Sequence, residues 1–140
     1  MTTRDAACHC GQLRLKVAGD PFAVSICNCL DCQRRTGSAF GMQAGFKVDQ
    51  VQIVGRFSDF ARISDEADRK EHVFHFCPDC GTGLFYVNEQ MLPGIIDIQS
   101  ATYDDPDSVP PRAHIQVAER IKWMESAHEL PAFERYPPQE

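Results

Sequence analysis

Seven cysteines are the residues whose type and spacing most directly invite chemistry. They fall as Cys8-x-Cys10, Cys27-x-Cys29-x-x-Cys32 and Cys77-x-x-Cys80, and none stands alone. Cysteines that only fill a core have no reason to cluster at such spacings, so the pattern reads as metal binding. Tetrahedral zinc, with Zn–S of about 2.3 Å, needs neighbouring sulfurs under about 4 Å apart. A Cys-x-x-Cys turn meets that need locally, and Phe76-Cys77-Pro78-Asp79-Cys80-Gly81 has the right turn chemistry. Pro78 presets φ, and Gly81 accepts a left-handed conformation beside the second sulfur. Cys-x-Cys sets two sulfurs on one face of an extended segment, and Gly11 follows Cys10 as a second tight turn. An odd cysteine count argues against a disulfide framework. A redox dithiol at Cys77 and Cys80 calls for a βαβ setting, whereas the flanking sequence is strand-like.

Seven thiolates divide most naturally into four and three. A closed four-cysteine site is structural, whereas three protein ligands leave a position for water or substrate. Cys27, Cys29 and Cys32 lie close enough in sequence to face one metal by themselves, which leaves Cys8/Cys10 and Cys77/Cys80 to close a second site. A ribbon that pairs Cys29/Cys32 with Cys77/Cys80 meets the same spacing rules. Both groupings stand on spacing alone.

Polar residues around the triple are the next candidates. Arg34 and Arg35 follow it at once, and either can hold a substrate carboxylate in a bidentate manner or offset the thiolate charge. Thr36 and Ser38 can donate hydrogen bonds to a developing alkoxide, or simply cap a turn. His114 lies on an alternating segment, where it can shuttle a proton or sit in the core. Asp31 can reach inward as a further ligand. His9 is expected to be exposed, and His72 and His75 carry little functional weight. Trp123 and the nine phenylalanines are expected in the core and the pocket wall.

The elements that must position these groups are mostly short strands. Leu13, Leu15 and Val17 alternate with polar residues, a period of two that ends at Gly19-Asp20-Pro21. Further strands are expected over 22–27, 38–46, 51–54, 57–63, 73–76, 84–87, 95–98 and 114–117. One helical turn is expected over 31–36, ended by Gly37. Residues 64–71 form a charged connection, 103–112 a loop, and the segment from 131 an extended tail. A chain of 140 residues predicts one domain. A net charge of −6 speaks against a binder of nucleic-acid phosphates. No apolar run is long enough to span a membrane, and no apolar leader is visible at the N-terminus, so a soluble cytoplasmic protein is the expectation.

These motifs resemble a known family. Cys8-His9-Cys10-Gly11, Cys27-Asn28-Cys29-Leu30-Asp31-Cys32-Gln33-Arg34-Arg35-Thr36-Gly37-Ser38 and Phe76-Cys77-Pro78-Asp79-Cys80-Gly81 are similar to the glutathione-dependent formaldehyde-activating enzymes, whose domain the centromere protein V group shares. Leu84-Phe85-Tyr86, Ala113-His114-Ile115, Trp123 and Leu130-Pro131 extend the likeness. The resemblance implies a mainly β, Mss4-like (β-tent) fold built on zinc knuckles, over residues 4–130, with 131–140 as a tail. It implies two zinc ions per chain: a structural one on Cys8, Cys10, Cys77 and Cys80, and a catalytic one on Cys27, Cys29 and Cys32. It also implies a carbon–sulfur lyase that joins glutathione, or another small thiol, to formaldehyde. The chain departs from the family at Gln116, where many relatives are aromatic, and at Ile121-Lys122-Trp123, which replaces a frequent Pro-Trp. Both departures bear on substrate identity.

The chemistry asked of such a site fits its donors. A free thiol with pKa near about 8.5 is mostly protonated at neutral pH, and the thiolate is the nucleophile. An anionic three-sulfur zinc is a weak Lewis acid, better suited to activating a thiol than to making hydroxide. The competing reading is a non-catalytic zinc module that docks a protein or small molecule. A fourth protein ligand at the triple would favour it.

Overall fold

The computed structural model describes residues 1–64 and 70–139. Its strands are β1 (Thr3–Ala7), β2 (Arg14–Ala18), β3 (Ala23–Cys27), β4 (Gly41–Lys47), β5 (Val51–Val54), β6 (Ser58–Ile63), β7 (Glu71–Phe76), β8 (Gly83–Val87), β9 (Ile95–Gln99) and β10 (Ala113–Ile115). One α-helix, α1 (Leu30–Thr36), follows β3. The protein is therefore mainly β. Among the described residues no helix is long and apolar enough to cross a membrane.

The strands form two sheets. β1-β2-β5 is a three-stranded antiparallel sheet, and β10-β3-β4-β9-β8-β7-β6 a seven-stranded one in which only β10 runs parallel to its neighbour. The alternation of Leu13, Leu15 and Val17 does what the period predicts: all three are buried. They join Val24, Ala44, Phe46, Phe85, Ile96 and Ile98 from the large sheet in one apolar core. Burying each of the larger of these side chains stabilises the fold by about 1.5–3 kcal/mol.

Successive residues of a strand face opposite ways, so the neighbours of these core residues along each strand point away from the core. One row of direct cross-strand partners runs Ala23, Gly45, Asp97, Tyr86, Phe74, Phe60. A second runs Ser25, Gln43, Gln99, and Cys27 stands opposite Gly41. The seven-stranded sheet thus has an apolar face and a face carrying chemistry.

Several expectations need correction. β1 was not foreseen, because Thr-Arg-Asp-Ala-Ala lacks an apolar alternation; its full five-residue register with β2 and the burial of Ala6 hold it. The strand expected over 38–46 begins only at Gly41, and the one expected over 114–117 ends at Ile115. There Gln116 takes a left-handed φ of 56° and breaks the pairing. Five of the expected core aromatics are exposed: Phe22, Phe57, Phe60, Trp123 and Phe133. Trp123 sits in a 3-10 helix over Lys122–Glu129, a segment for which the sequence had suggested no element. Residues 65–69, the middle of the expected charged connection, lie outside the described residues.

Candidate metal centre and substrate cavity

The cysteines gather into two clusters, Cys8/Cys10/Cys77/Cys80 and Cys27/Cys29/Cys32, with ligand atoms in each within 4.8 Å of one another. The ribbon grouping is not formed. In the first cluster Cys8 Sγ is 3.6 Å from Cys10 Sγ, and Cys10 Sγ is 3.8 Å from Cys77 Sγ. A tetrahedron with Zn–S of about 2.3 Å has edges of about 3.8 Å, so this donor set fits a zinc ion. Donors already serve its sulfurs. Leu13 N–H lies 3.3 Å from Cys8 Sγ, and Gln12 Nε2 lies 3.0 Å from Cys77 Sγ. Hydrogen bonds from Thr82 push the Cys80 thiol down to about 5. Gly55, with φ of 106°, lets β5 leave against Gln12: a Cβ there would stand 2.2 Å from the Gln12 carbonyl oxygen.

The second cluster straddles the end of β3 and the start of α1. Cys29 is the helix N-cap, its Sγ accepting the Cys32 N–H at 3.2 Å, while Gly37 closes the helix in the left-handed region with its N–H on Gln33 O. Hydrogen bonds from the Cys27 and Cys32 thiols hold Cys29 far below the ordinary thiol range. Cys32 is pushed up in return by Cys27 and Cys29. Three sulfurs that share protons in this way suit a single soft cation. Asn28, buried beneath them, donates to Ile115 O at 3.0 Å, and Gln33 Nε2 bridges Asn28 O and Glu119 O. The 115–119 segment is thereby tied to the cysteine turn.

The two arginines part company here. Arg34 is exposed, whereas Arg35 turns back over the site. Its Nη2 lies 3.7 Å from Cys32 Sγ, and its guanidinium lies 5.2 Å from the Phe74 ring centre and 5.5 Å from that of Tyr86. Gly41 makes room: a Cβ there would be 2.9 Å from Arg35 Nη2. Thr36 is a capping residue, donating to Cys32 O and accepting from Ser38 N–H. Ser38 is exposed and lines neither cavity beside the cluster. His114 is also exposed, its Nδ1 3.3 Å from Asn28 Nδ2, and is turned away from the cavities. Asp31 does not join the sulfurs; it is held by Arg62 at 2.7 Å.

Beside the triple lies a cavity of about 430 Å³, walled by Cys27, Cys29, Cys32, Arg35, Tyr86 and the Ile115–Gln116 turn. A larger one of about 760 Å³ adjoins it, and the two share Asp31, Arg35, Arg62 and Phe74. Sequence reasoning missed Asp97 and Gln43, which form the floor of the first cavity and are both buried. Burial raises the Asp97 carboxyl to about 6, partly offset by the Arg35 charge. The available signal was a charged residue inside the apolar run Ile95-Ile96-Asp97-Ile98.

Fold and site together define a mainly β protein with two cysteine clusters that can hold zinc. The family model described as glutathione-dependent formaldehyde-activating enzyme matches residues 3–119, and the chain belongs to that family. A crystal structure of a Rhodobacter sphaeroides protein, a structural-genomics target, aligns with a TM-score of 0.57 at 17% identity, covering 79% of this chain and 98% of its own. That likeness shows a shared fold. No curated protein matches the chain.

Proposed function

We propose that the chain is a zinc-dependent carbon–sulfur lyase that adds glutathione, or a closely related small thiol, to formaldehyde to give the S-hydroxymethyl adduct. The observation that carries this reading is a three-sulfur cluster with no fourth protein ligand among the described residues, opening onto a cavity in which Arg35 is held beside Cys32. Cys8, Cys10, Cys77 and Cys80 would hold a structural zinc ion, and Cys27, Cys29 and Cys32 a second. When bound, the second ion would supply a position at which a thiol is held as its thiolate.

The chain's own groups do the rest. The reaction forms a sulfur–carbon bond, moves the carbonyl π electrons onto oxygen, and returns to that oxygen the proton the thiol gave up. Arg35, pinned by Phe74 and Tyr86, places a permanent charge where the oxygen becomes negative; preorganised charge of this kind costs no rearrangement during the reaction. The aromatic walls restrict water around it. The docking-module reading needs a closed second site, and Asp31, the ligand candidate the sequence offers there, is engaged by Arg62.

Exchange NMR of formaldehyde and glutathione tests the proposal against the appreciable uncatalysed rate. The zinc-loaded protein should accelerate exchange, and Cys29→Ser should abolish the gain while the fold persists. A rate equal to the uncatalysed one, with two metal ions bound per chain, would remove the lyase reading.

A further inference from the structure

Two acceptors at the floor of the cavity have nothing to accept from. Asp97 is only 8% exposed, and among the described residues no group donates a hydrogen bond or forms an ion pair with its carboxylate. Gln43 is 7% exposed, and its Oε1 is buried without a partner. Because Gln43 pairs with Gln99 while Gly45 pairs with Asp97, the two are diagonal neighbours on one face of β4 and β9. Diagonal pairs stand about 7–8 Å apart, so their side chains can converge on one group. Gly45 leaves that space open: where its Cβ would be, Phe22 Cδ1 lies 3.1 Å away and Asp97 Oδ1 3.2 Å away. Tyr86 stands directly opposite Asp97 on β8.

We infer that this floor is an ammonium subsite, in which Asp97 and Gln43, beside the rings of Phe22 and Tyr86, receive a primary amine carried by the substrate. An ammonium has three donors and no acceptor, which suits two bare acceptors. It neutralises the carboxylate, as a hydroxyl does not, and aromatic faces attract it further. Arg35 does not fill this role, since it is held at Cys32 Sγ and against the Phe74 and Tyr86 rings. Naming the molecule that carries the amine rests on the thiol reading above; the subsite itself does not. Gly41, beside Cys32 and Arg35, and Gly45, beside Asp97, are separated by four steps of one strand, about 13 Å. That separation suits an amine several bonds from the sulfur, as in a γ-glutamyl peptide. Free cysteine, with its amine on the adjacent carbon, is too short.

The test uses a peptide without sulfur, γ-glutamyl-alanyl-glycine, and its N-acetylated form, titrated calorimetrically into the zinc-loaded protein. Acetylation should weaken binding roughly tenfold or more in the wild type, and Asp97→Asn should bind both forms alike. The preference should also fade below about pH 6, where the Asp97 carboxyl takes up a proton. Asp31, Glu119, Arg35, Arg62, Tyr86, His72 and the three cysteines also face this cavity. Persistence of the pH effect in Asp97→Asn would assign it to one of them and overturn the inference. So would equal binding of the two peptides by the wild type, or no binding of either at millimolar concentration. Gln43→Met, which keeps the volume and removes the acceptor, should show a partial loss and serves if Asp97→Asn does not fold. Glutathione is titrated in parallel: binding no tighter than the alanyl peptide would sink the thiol reading and leave the subsite standing.

Discussion

Replacing Cys10 and Cys80 together by serine should cut a long-range tie between two turns of the fold. Cys10 and Cys77 are 67 residues apart in sequence, and their cluster joins the β1–β2 turn to the β7–β8 turn. Loop-closure reasoning for a cross-link of that span gives about 4 kcal/mol from the unfolded chain alone. Metal–sulfur bonding adds to this, so the value is a floor. For a 140-residue domain the unfolding entropy is about 0.29 kcal/mol/K, which turns 4 kcal/mol into a fall in Tm of about 14 °C. Cys10 and Cys80 are the right pair because Cys8 and Cys77 are buried core members, whereas Cys10 is exposed and Cys80 half-buried. The loss then reports the cross-link and not a core cavity. Cys29→Ser is the matched control: its cluster lies within one short segment, so its Tm should move by only about 2–4 °C. Calorimetric melts of zinc-loaded proteins, with metal counted before and after, would decide. Equal melting of the double variant and Cys29→Ser would refute the division into a fold-holding and a reacting cluster.

Two further outcomes are expected. Asp97→Asn should raise Tm at pH 8 and leave it unchanged at pH 4. The folded carboxyl, at about 6 against an ordinary 3.8, holds a proton that the unfolded chain has released between those values, so stability falls as pH rises through that window. Gly41→Ala should keep Tm within about 3 °C, because its new methyl meets chiefly the movable end of Arg35, with Cys32 Cβ and Sγ at 3.3 and 3.4 Å. It should nonetheless lower the rate of formaldehyde–glutathione exchange by roughly tenfold to a hundredfold, since the methyl displaces the guanidinium from Cys32 and crowds the Cys32 sulfur. An unaltered rate would free Arg35 from any part in the reaction.

How much of this was legible depended on sequence distance. The Cys27/Cys29/Cys32 triple, the two cysteine pairs and the Gly37 cap are local, and their spacing carried them. The joining of Cys8/Cys10 to Cys77/Cys80 over 67 residues was left open by spacing. The buried alternation along β2 was legible too. Asp97 was invisible as a site residue because part of its setting is made by β4, far away in the chain, which meets β9 across the sheet opposite to β8. A similar cause misled the reading of His114. Its alternation marks a strand, but the parallel pairing with β3 sets Ile115 opposite Cys27 and leaves His114 on Asn28. Arg34 and Arg35 were equal in sequence; the turn of α1 and the missing side chain of Gly41 separate them. Trp123 shows the reverse error, since composition places a tryptophan inside and this one is 57% exposed.

The unfavourable choices around the cavity have a counterweight elsewhere in the fold. Asp97 ionised and unpartnered costs about 3 kcal/mol at neutral pH, by the difference between 6 and 3.8. Gln116 adds the strain of a left-handed non-glycine at the cavity wall. Local rules broken without structural gain mark functional positions. The four-cysteine cross-link, at about 4 kcal/mol, is of similar size and opposite sign. The two features share no residue, so their effects should add to within a few tenths of a kcal/mol. Asp97→Asn placed in the Cys10→Ser/Cys80→Ser background should therefore recover up to about 10 °C of the lost Tm at pH 8, and nothing at pH 4. Recovery that is equal at both pH values would mean that the gain comes from packing and not from removing a buried charge. No recovery at either pH would mean that Asp97 is not a cost the fold carries, and the reason for expecting a cationic ligand at that carboxylate would go with it.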